Sequence, residues 1–80
     1  MTKLKLIRAV RRTERKADAL RAAAYYAGQA ARAVPVWRQA EFDQLSGKAE
    51  RLARLSNRFL SLSNQYADRL TSLRTAELAA

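Results

Sequence analysis

The sequence contains neither cysteine nor histidine, and this absence narrows the chemistry that the chain can perform. Without cysteine there is no disulfide framework, and without either residue the usual ligands of zinc and other transition metals are missing. An enzyme would have to activate a Ser or Thr with a Lys or carboxylate base. The chain has two glycines, and neither belongs to a glycine-rich loop that would cradle a phosphate. We therefore expect a non-enzymatic protein with no cofactor and no metal.

Long apolar runs are also missing. Even the alanine-rich stretch 17–36 carries Asp18, Arg21 and Arg32, whereas a membrane span needs about 20 predominantly apolar residues. The basic start of the chain is not followed by a continuous apolar segment with a cleavage site, so no secretory signal is predicted. We expect a soluble protein, intracellular or associated with a virion, and rank a peripheral membrane-surface helix third among the hypotheses.

One proline interrupts the 80 residues, while alanine, leucine and arginine dominate, and this composition is typical of long helices. Proline disfavours helical backbone in the residue before it and fits the first turn of a helix, so Pro35 predicts a break. The sequence predicts an all-α fold with one helical domain over residues 1–80. Helix 1 is expected at about 5–33, a joint at 34–36 and helix 2 at about 36–78. The joint is either a hairpin turn or a kink.

Large apolar residues recur every seven positions from Leu45 to Leu73 in the second half of the chain. A sustained seven-residue repeat predicts coiled-coil packing with a left-handed supercoil. Lys48 and Arg69 fall at inner positions of this repeat, where they would snorkel or set the register of the helices. The predicted packing seam consists of Leu45, Leu52, Leu55, Phe59, Leu62, Tyr66, Leu70 and Leu73.

Small side chains cover two faces of the second half of helix 1 when residues are placed at 100° intervals. A hairpin of this length supplies one intramolecular neighbour, which cannot contact both faces. A second contact is therefore predicted, with another copy of the chain or with a larger protein complex. The predicted second interface consists of Ala19, Ala23, Ala24, Ala27, Ala30 and Ala31.

Positive charge is concentrated in the first half of the chain, within a formal net charge of +9. Residues 1–34 hold nine Lys and Arg against two acids. The first six Lys and Arg residues of the predicted helix 1 fall within an arc of about 140° around the helix axis. Such a basic face suits nucleic acid or an acidic protein surface as a partner. A solvated face, or pairing with acids of a neighbouring subunit, is the alternative. The candidate polyanion-binding residues are Lys5, Arg8, Arg11, Arg12, Arg15 and Lys16.

Three aromatic residues near the joint, Tyr25, Tyr26 and Trp37, have the side chains that stack on nucleic-acid bases. We favour core packing for them, because aromatic side chains chiefly supply buried area and Trp37 directly follows the joint.

The order of helix, proline-containing joint at Val34-Pro35-Val36 and longer helix is similar in outline to needle-type secretion subunits and to small helical virion or assembly-adaptor proteins. The joint lacks the Pro-Ser-Asp/Asn-Pro turn of the needle subunits, so no residue role is transferred. The leading hypothesis is a structural or adaptor protein that assembles through coiled-coil helices, for instance in a virion or a mobile element. The alternative is a nucleic-acid-binding protein that uses the 5–16 face and dimerises through helix 2.

Overall fold

The computed structural model describes residues 2–79, which form two α-helices packed against each other as an antiparallel hairpin. Helix α1 spans Lys3–Ala33 and helix α2 spans Gln39–Ala79. Residues 2–79 contain no strand. The predicted all-α fold is confirmed, and of the two forms left open for the joint the chain adopts the hairpin turn. The two ends of the predicted domain, Met1 and Ala80, lie outside the described residues. The Cα trace extends over 66 × 15 × 13 Å, so the molecule is a thin rod.

The end of α1 follows the prediction and the start of α2 does not. Val34 has extended backbone (φ −72°, ψ 130°), as expected for the residue before Pro35. The backbone N–H of Arg38 donates to the Pro35 carbonyl at 2.9 Å, and the N–H of Phe42 donates to the Arg38 carbonyl at 3.1 Å. The reversal of the chain therefore uses residues 34–38, and α2 begins three residues later than the expected 36.

Small side chains line the contact between the two helices. In α2 the buried residues are Ser56 and Ser63, and Leu6 is the largest side chain that is fully buried. Short side chains at a helix contact let the two backbones approach closely. This close approach allows a serine of α2 to reach the backbone of α1. The buried residues of α1 are Leu6, Ala9, Thr13, Ala17, Ala27 and Ala31.

Two serine hydroxyls cross the interface. Ser56 Oγ donates to the carbonyl oxygen of Ala17 at 2.8 Å, and Ser63 Oγ donates to that of Val10 at 3.5 Å. Both pairs have residue numbers that sum to the same value, as one constant antiparallel register requires. At the open end, the Lys3 ammonium meets the Glu77 carboxylate at 3.1 Å, an exposed ion pair that adds little stability.

The packing seam differs from the prediction in the residues at its centre. Ser56 and Ser63 are more buried than any of the predicted leucines, and Leu55 and Leu73 are each 38% exposed. Lys48 and Arg69, which fall at inner positions of the repeat, are both exposed in the hairpin. The narrow gap opposite the alanines of α1 admits small side chains at its centre and leaves the larger ones at its borders. The remaining seam residues are half-buried, namely Leu45, Leu52, Phe59, Leu62, Tyr66 and Leu70.

Replacing Ser56 by alanine is expected to lower the free energy of unfolding by about 1 kcal/mol, since an intramolecular hydrogen bond contributes about 0.5–1.5 kcal/mol. Ser63→Ala should lower it less, because its 3.5 Å bond lies at the limit of hydrogen-bond geometry. Urea unfolding followed by circular dichroism, at one protein concentration, measures both. A larger loss for Ser63→Ala than for Ser56→Ala would contradict this ordering.

Candidate functional site

The cations of the first half of α1 lie along one edge of the hairpin and face an apolar part of α2. Together they border an open groove with a volume of about 920 Å³. We call this surface the basic groove. Five of the six predicted polyanion-binding residues line it, and Lys5 does not. Its lining consists of Arg8, Arg11, Arg12, Thr13, Arg15, Lys16, Ala19, Phe59, Leu62 and Tyr66.

Sequence reasoning located the rim of the basic groove and missed its floor. Phe59, Leu62 and Tyr66 were assigned to the packing seam alone, yet each is half-buried and also borders the groove. The signal was the seven-residue step from Leu55 to Leu62, which places these two leucines in a line along one border of the ladder from Leu45 to Leu73. The sequence does not show which edge of α1 these leucines contact, because that depends on the side at which the two helices pack.

The cations of the basic groove have no carboxylate partner in the hairpin. Within residues 2–79, the ion pairs are Lys3 with Glu77 and Arg38 with Glu41, at 3.1 and 3.5 Å. Neither pair includes a residue of the groove. Neighbouring cations without counter-charges produce a positive potential, and the low-dielectric floor strengthens it. Intramolecular pairing therefore does not account for the cluster, which leaves solvent, a ligand or a partner subunit to face it.

Charge is segregated between the two edges of the hairpin. Lys48, Leu55, Leu62 and Arg69 recur every seven residues, so they follow the groove edge of α2 without an intervening acid. Arg51, Arg54, Leu55 and Arg58 border a second open groove of about 260 Å³ further out on α2.

Two acids of the central part of the hairpin, Glu14 and Glu50, lie away from the basic groove, whereas Asp18 follows Arg11 of the groove by seven residues and so falls at its outer border. Glu14 and Glu50 each lie two residues from a groove-edge lysine, Lys16 and Lys48, and hence about 160° round the helix from it. Glu41 does fall on the groove edge, next to the connection, where it is paired with Arg38. The groove edge is thus basic and the opposite edge is mixed.

The predicted second interface of six alanines is divided by the structure. Ala27 and Ala31 are buried and Ala24 is half-buried, so these three belong to the hairpin contact and not to a second one. The prediction grouped them with the others because alanine is too small for sequence periodicity to show which face is covered. The exposed alanines continue the arc of the basic groove toward the connection. We call this continuation the alanine strip, which consists of Ala19, Ala22, Ala23, Tyr26, Ala30 and Ala33.

The aromatic residues near the connection are not core residues of the hairpin. Tyr25 and Tyr26 are 62% and 70% exposed, and Trp37 is 83% exposed, so the favoured core-packing interpretation was wrong for this chain alone. Trp37 lies in the chain reversal between the two helices. The Tyr25 hydroxyl accepts a hydrogen bond from the Gln29 amide at 2.6 Å, and its ring meets that of Tyr26 edge to face at 5.7 Å. These rings are available to a partner.

Comparison with protein-family models, with curated proteins and with solved structures finds no match for this chain. Within residues 2–79, no helix combines the length and the apolar character needed to cross a membrane. In the same part of the chain, no three acidic side chains come together in a group that could hold a metal ion. The basic groove and the alanine strip are therefore the features on which a functional proposal rests.

Proposed function

We propose that this protein is a non-enzymatic structural or adaptor subunit that assembles, through the outer faces of its helical hairpin, into an oligomer or a larger complex. The observation that carries the proposal is the amount of surface that the hairpin leaves uncovered. Its accessible surface is 6279 Å² for a mass of 9.0 kDa. A compact monomer of that mass exposes about 4,900 Å². A component of a virion or of a mobile element is the setting that we propose from the small size and the dependence on partners.

The excess surface is large enough for a specific interface. It amounts to about 1,400 Å², whereas each partner in a standard interface buries about 800 Å². The exposed alanine strip is one surface on which such an interface can form, because small side chains let another helix approach closely, as they do inside the hairpin. Exposed aromatic rings at Tyr26 and Trp37 add area of the kind that dominates interfaces. Knobs-into-holes packing against that partner is part of the proposal.

The proposal predicts that the purified chain has a solution mass that is a multiple of 9.0 kDa at micromolar concentration, or that it is recovered from its native source in a larger complex. Light scattering after gel filtration measures the first, at about 0.15 M salt to screen repulsion between basic copies. Introducing Ala23→Glu with Ala30→Glu into the alanine strip should release the chain from the larger complex of its native source. A stable helical monomer in both settings would contradict the proposal.

The matched control for that experiment changes two exposed alanines that lie outside the strip. Ala40→Glu with Ala53→Glu adds the same two negative charges to the same chain, so it should leave the assembled mass unchanged. Loss of assembly in both variants would show that the assembly depends on net charge rather than on the strip.

Binding of a polyanion such as nucleic acid is the second candidate function, with α2 as a dimerisation element. It is favoured by one specific observation, the five neighbouring cations of the basic groove that lack a carboxylate partner. Contacts of this kind go to phosphates, and they are therefore tolerant of sequence and weakened by salt. The cluster runs from Arg8 to Lys16, about two and a half helical turns, which is enough to contact several phosphates.

A further inference from the structure

We infer that the basic groove and the alanine strip form one docking site for an acidic amphipathic helix of a protein partner, which packs as a third helix against α1 and α2. This inference rests on the proposed adaptor function and names the class of partner that the hairpin would hold. It follows from the shape of the groove, from the change of chemistry along it and from the segregation of charge between the two edges.

The shape of the site fits a helix. It runs along the line where α1 and α2 meet, which is where a third helix of a bundle packs against two others. From Arg8 to Ala33 the site is about 37 Å long at 1.5 Å per residue, so it accommodates a helix of about 25 residues. Its apolar floor is offered by Phe59, Leu62 and Tyr66, which the hairpin leaves half-buried.

The chemistry of the site changes along its length. Toward the open end of the hairpin, the exposed cations of α1 border an apolar floor on α2, which calls for an occupant with carboxylates beside an apolar stripe. Arginine forms forked, charge-assisted hydrogen bonds with such carboxylates. Toward the connection, the same arc of α1 is lined by the alanine strip, which carries no cation, and on this stretch the groove edge of α2 contributes Lys48. The occupant is therefore amphipathic rather than uniformly charged.

Nucleic acid fits this site less well than a protein helix. Its phosphates would be matched by Arg8, Arg12 and Arg15 at one end. Along the alanine strip, α1 would offer a charged backbone no counter-charge, and on that stretch the groove edge of α2 offers Lys48 against five cations at the other end. A nucleic acid that contacted the cations and not the alanine strip would use only half of the surface. An acidic helix uses both halves, since its apolar stripe continues over the alanines.

A second copy of the chain is also a poor occupant. Two basic grooves placed together would bring like charges face to face without a carboxylate between them. The opposite edge of a second copy mixes Glu14 and Glu50 with Arg21 and Arg74, so it does not complement the groove. A different protein, with an acidic face on one helix, supplies the missing charge.

The test uses a fluorescein-labelled synthetic helix of about 25 residues with Leu and Ala at its core positions and Glu at the flanking positions. We expect the full-length chain to bind it at about 0.15 M salt, as measured by fluorescence anisotropy. A matched peptide with Gln in place of Glu should bind about tenfold more weakly or worse, because it loses several ion pairs that each contribute a factor of up to about five. Absence of binding by the Glu peptide, or equal binding of both peptides, would overturn the inference.

Variants of the chain then locate the site. Arg12→Glu with Lys16→Glu should remove binding of the Glu peptide and create binding of a matched Lys peptide. The equal charge change Arg21→Glu with Arg74→Glu, on the opposite edge, should leave the Glu peptide bound. All four residues are exposed, so circular dichroism should show both variants folded. Failure of the charge swap, or equal losses in both variants, would overturn the inference.

Further results distinguish a protein helix from nucleic acid as the occupant of the site, and they distinguish failure of this inference from failure of the proposed adaptor function. Ala23→Glu should weaken binding of the Glu peptide about tenfold, because it places a carboxylate against the apolar stripe of the peptide. If Ala23→Glu leaves peptide binding unchanged and a nucleic-acid duplex displaces the peptide, the site is a polyanion site instead. If the measured mass shows that the chain assembles but the chain does not bind the peptide, this inference fails while the adaptor function stands. If the chain is monomeric both purified and as recovered from its native source, the adaptor function itself fails.

Discussion

Replacing Ala17 by leucine is expected to lower the free energy of unfolding by about 1–3 kcal/mol, the usual cost of forcing extra methylene groups into a packed core. Ala17 is 1% exposed, and its carbonyl oxygen lies 2.8 Å from the Ser56 hydroxyl on the other helix. A leucine side chain fits there only if the helices separate, and separation breaks that hydrogen bond as well. A chain of 80 residues has a total stability of about 4–12 kcal/mol, so this loss is a large share of it.

Urea unfolding at a fixed protein concentration measures the effect of Ala17→Leu, with Ala22→Leu as the matched control. Ala22 is exposed on the same helix, so the same substitution there should change stability only by the small difference in helix propensity. If Ala17→Leu stabilised the chain, or matched the control, the two backbones would not be closely apposed at this point. The expected difference between the two variants is therefore a direct measure of the narrow gap.

The boundaries of the helices could be predicted where one local cause decides them. Pro35 ends α1 at Ala33 by acting on the residue before it, and this effect needs no tertiary contact. The start of α2 depends instead on the reversal of the chain, in which the Pro35 carbonyl accepts a hydrogen bond from Arg38. A kink and a hairpin have the same sequence signature at this proline, so the three-residue difference was not visible beforehand.

The centre of the helix contact was not predictable from hydrophobicity. Two sets of positions in α2 satisfy the same spacing of three and four residues beside the ladder of large side chains. One contains Leu55 and Leu62 and the other contains Ser56 and Ser63, and ranking by hydrophobicity selects the leucines. The serines are at the centre because α1 presents small residues opposite them. A signal existed in the alanines of α1 at seven-residue spacing, since a close contact needs small side chains on both sides.

Only the basic rim of the candidate site could be predicted from the sequence, because only the rim lies on a single helix. The basic rim lies on one helix, and the 100° periodicity of that helix is enough to group its cations. The floor of Phe59, Leu62 and Tyr66 belongs to the other helix, and its position beside the rim depends on the register and on the side at which the helices meet. Sequence patterns of separate helices do not determine that side. The same limit explains why three of the six alanines were assigned to a second interface.

Reversing three charges of the basic groove is expected to weaken binding to a nucleic-acid duplex of mixed sequence by about 100-fold or more at low salt, if polyanion binding is a function of this chain. The change is Arg8→Glu, Arg12→Glu and Arg15→Glu in one chain. Each lost phosphate contact should reduce the slope of log affinity against log salt by about 0.9, so three contacts reduce it by about 2.7. The cations have no carboxylate partner in residues 2–79, so the reversal breaks no ion pair of the hairpin there.

Fluorescence anisotropy with a labelled duplex over a series of salt concentrations measures both the affinity and the slope. The control triple Arg21→Glu, Arg32→Glu and Arg74→Glu changes the net charge by the same amount at exposed positions outside the basic groove. It should weaken binding far less and leave the salt slope nearly unchanged, because long-range attraction is screened beyond about 10 Å at 0.1 M salt. Equal losses in the two triples would show that net charge alone attracts the duplex. A wild-type chain that does not bind the duplex at low salt would exclude nucleic acid from the groove and leave an acidic protein helix as its proposed occupant.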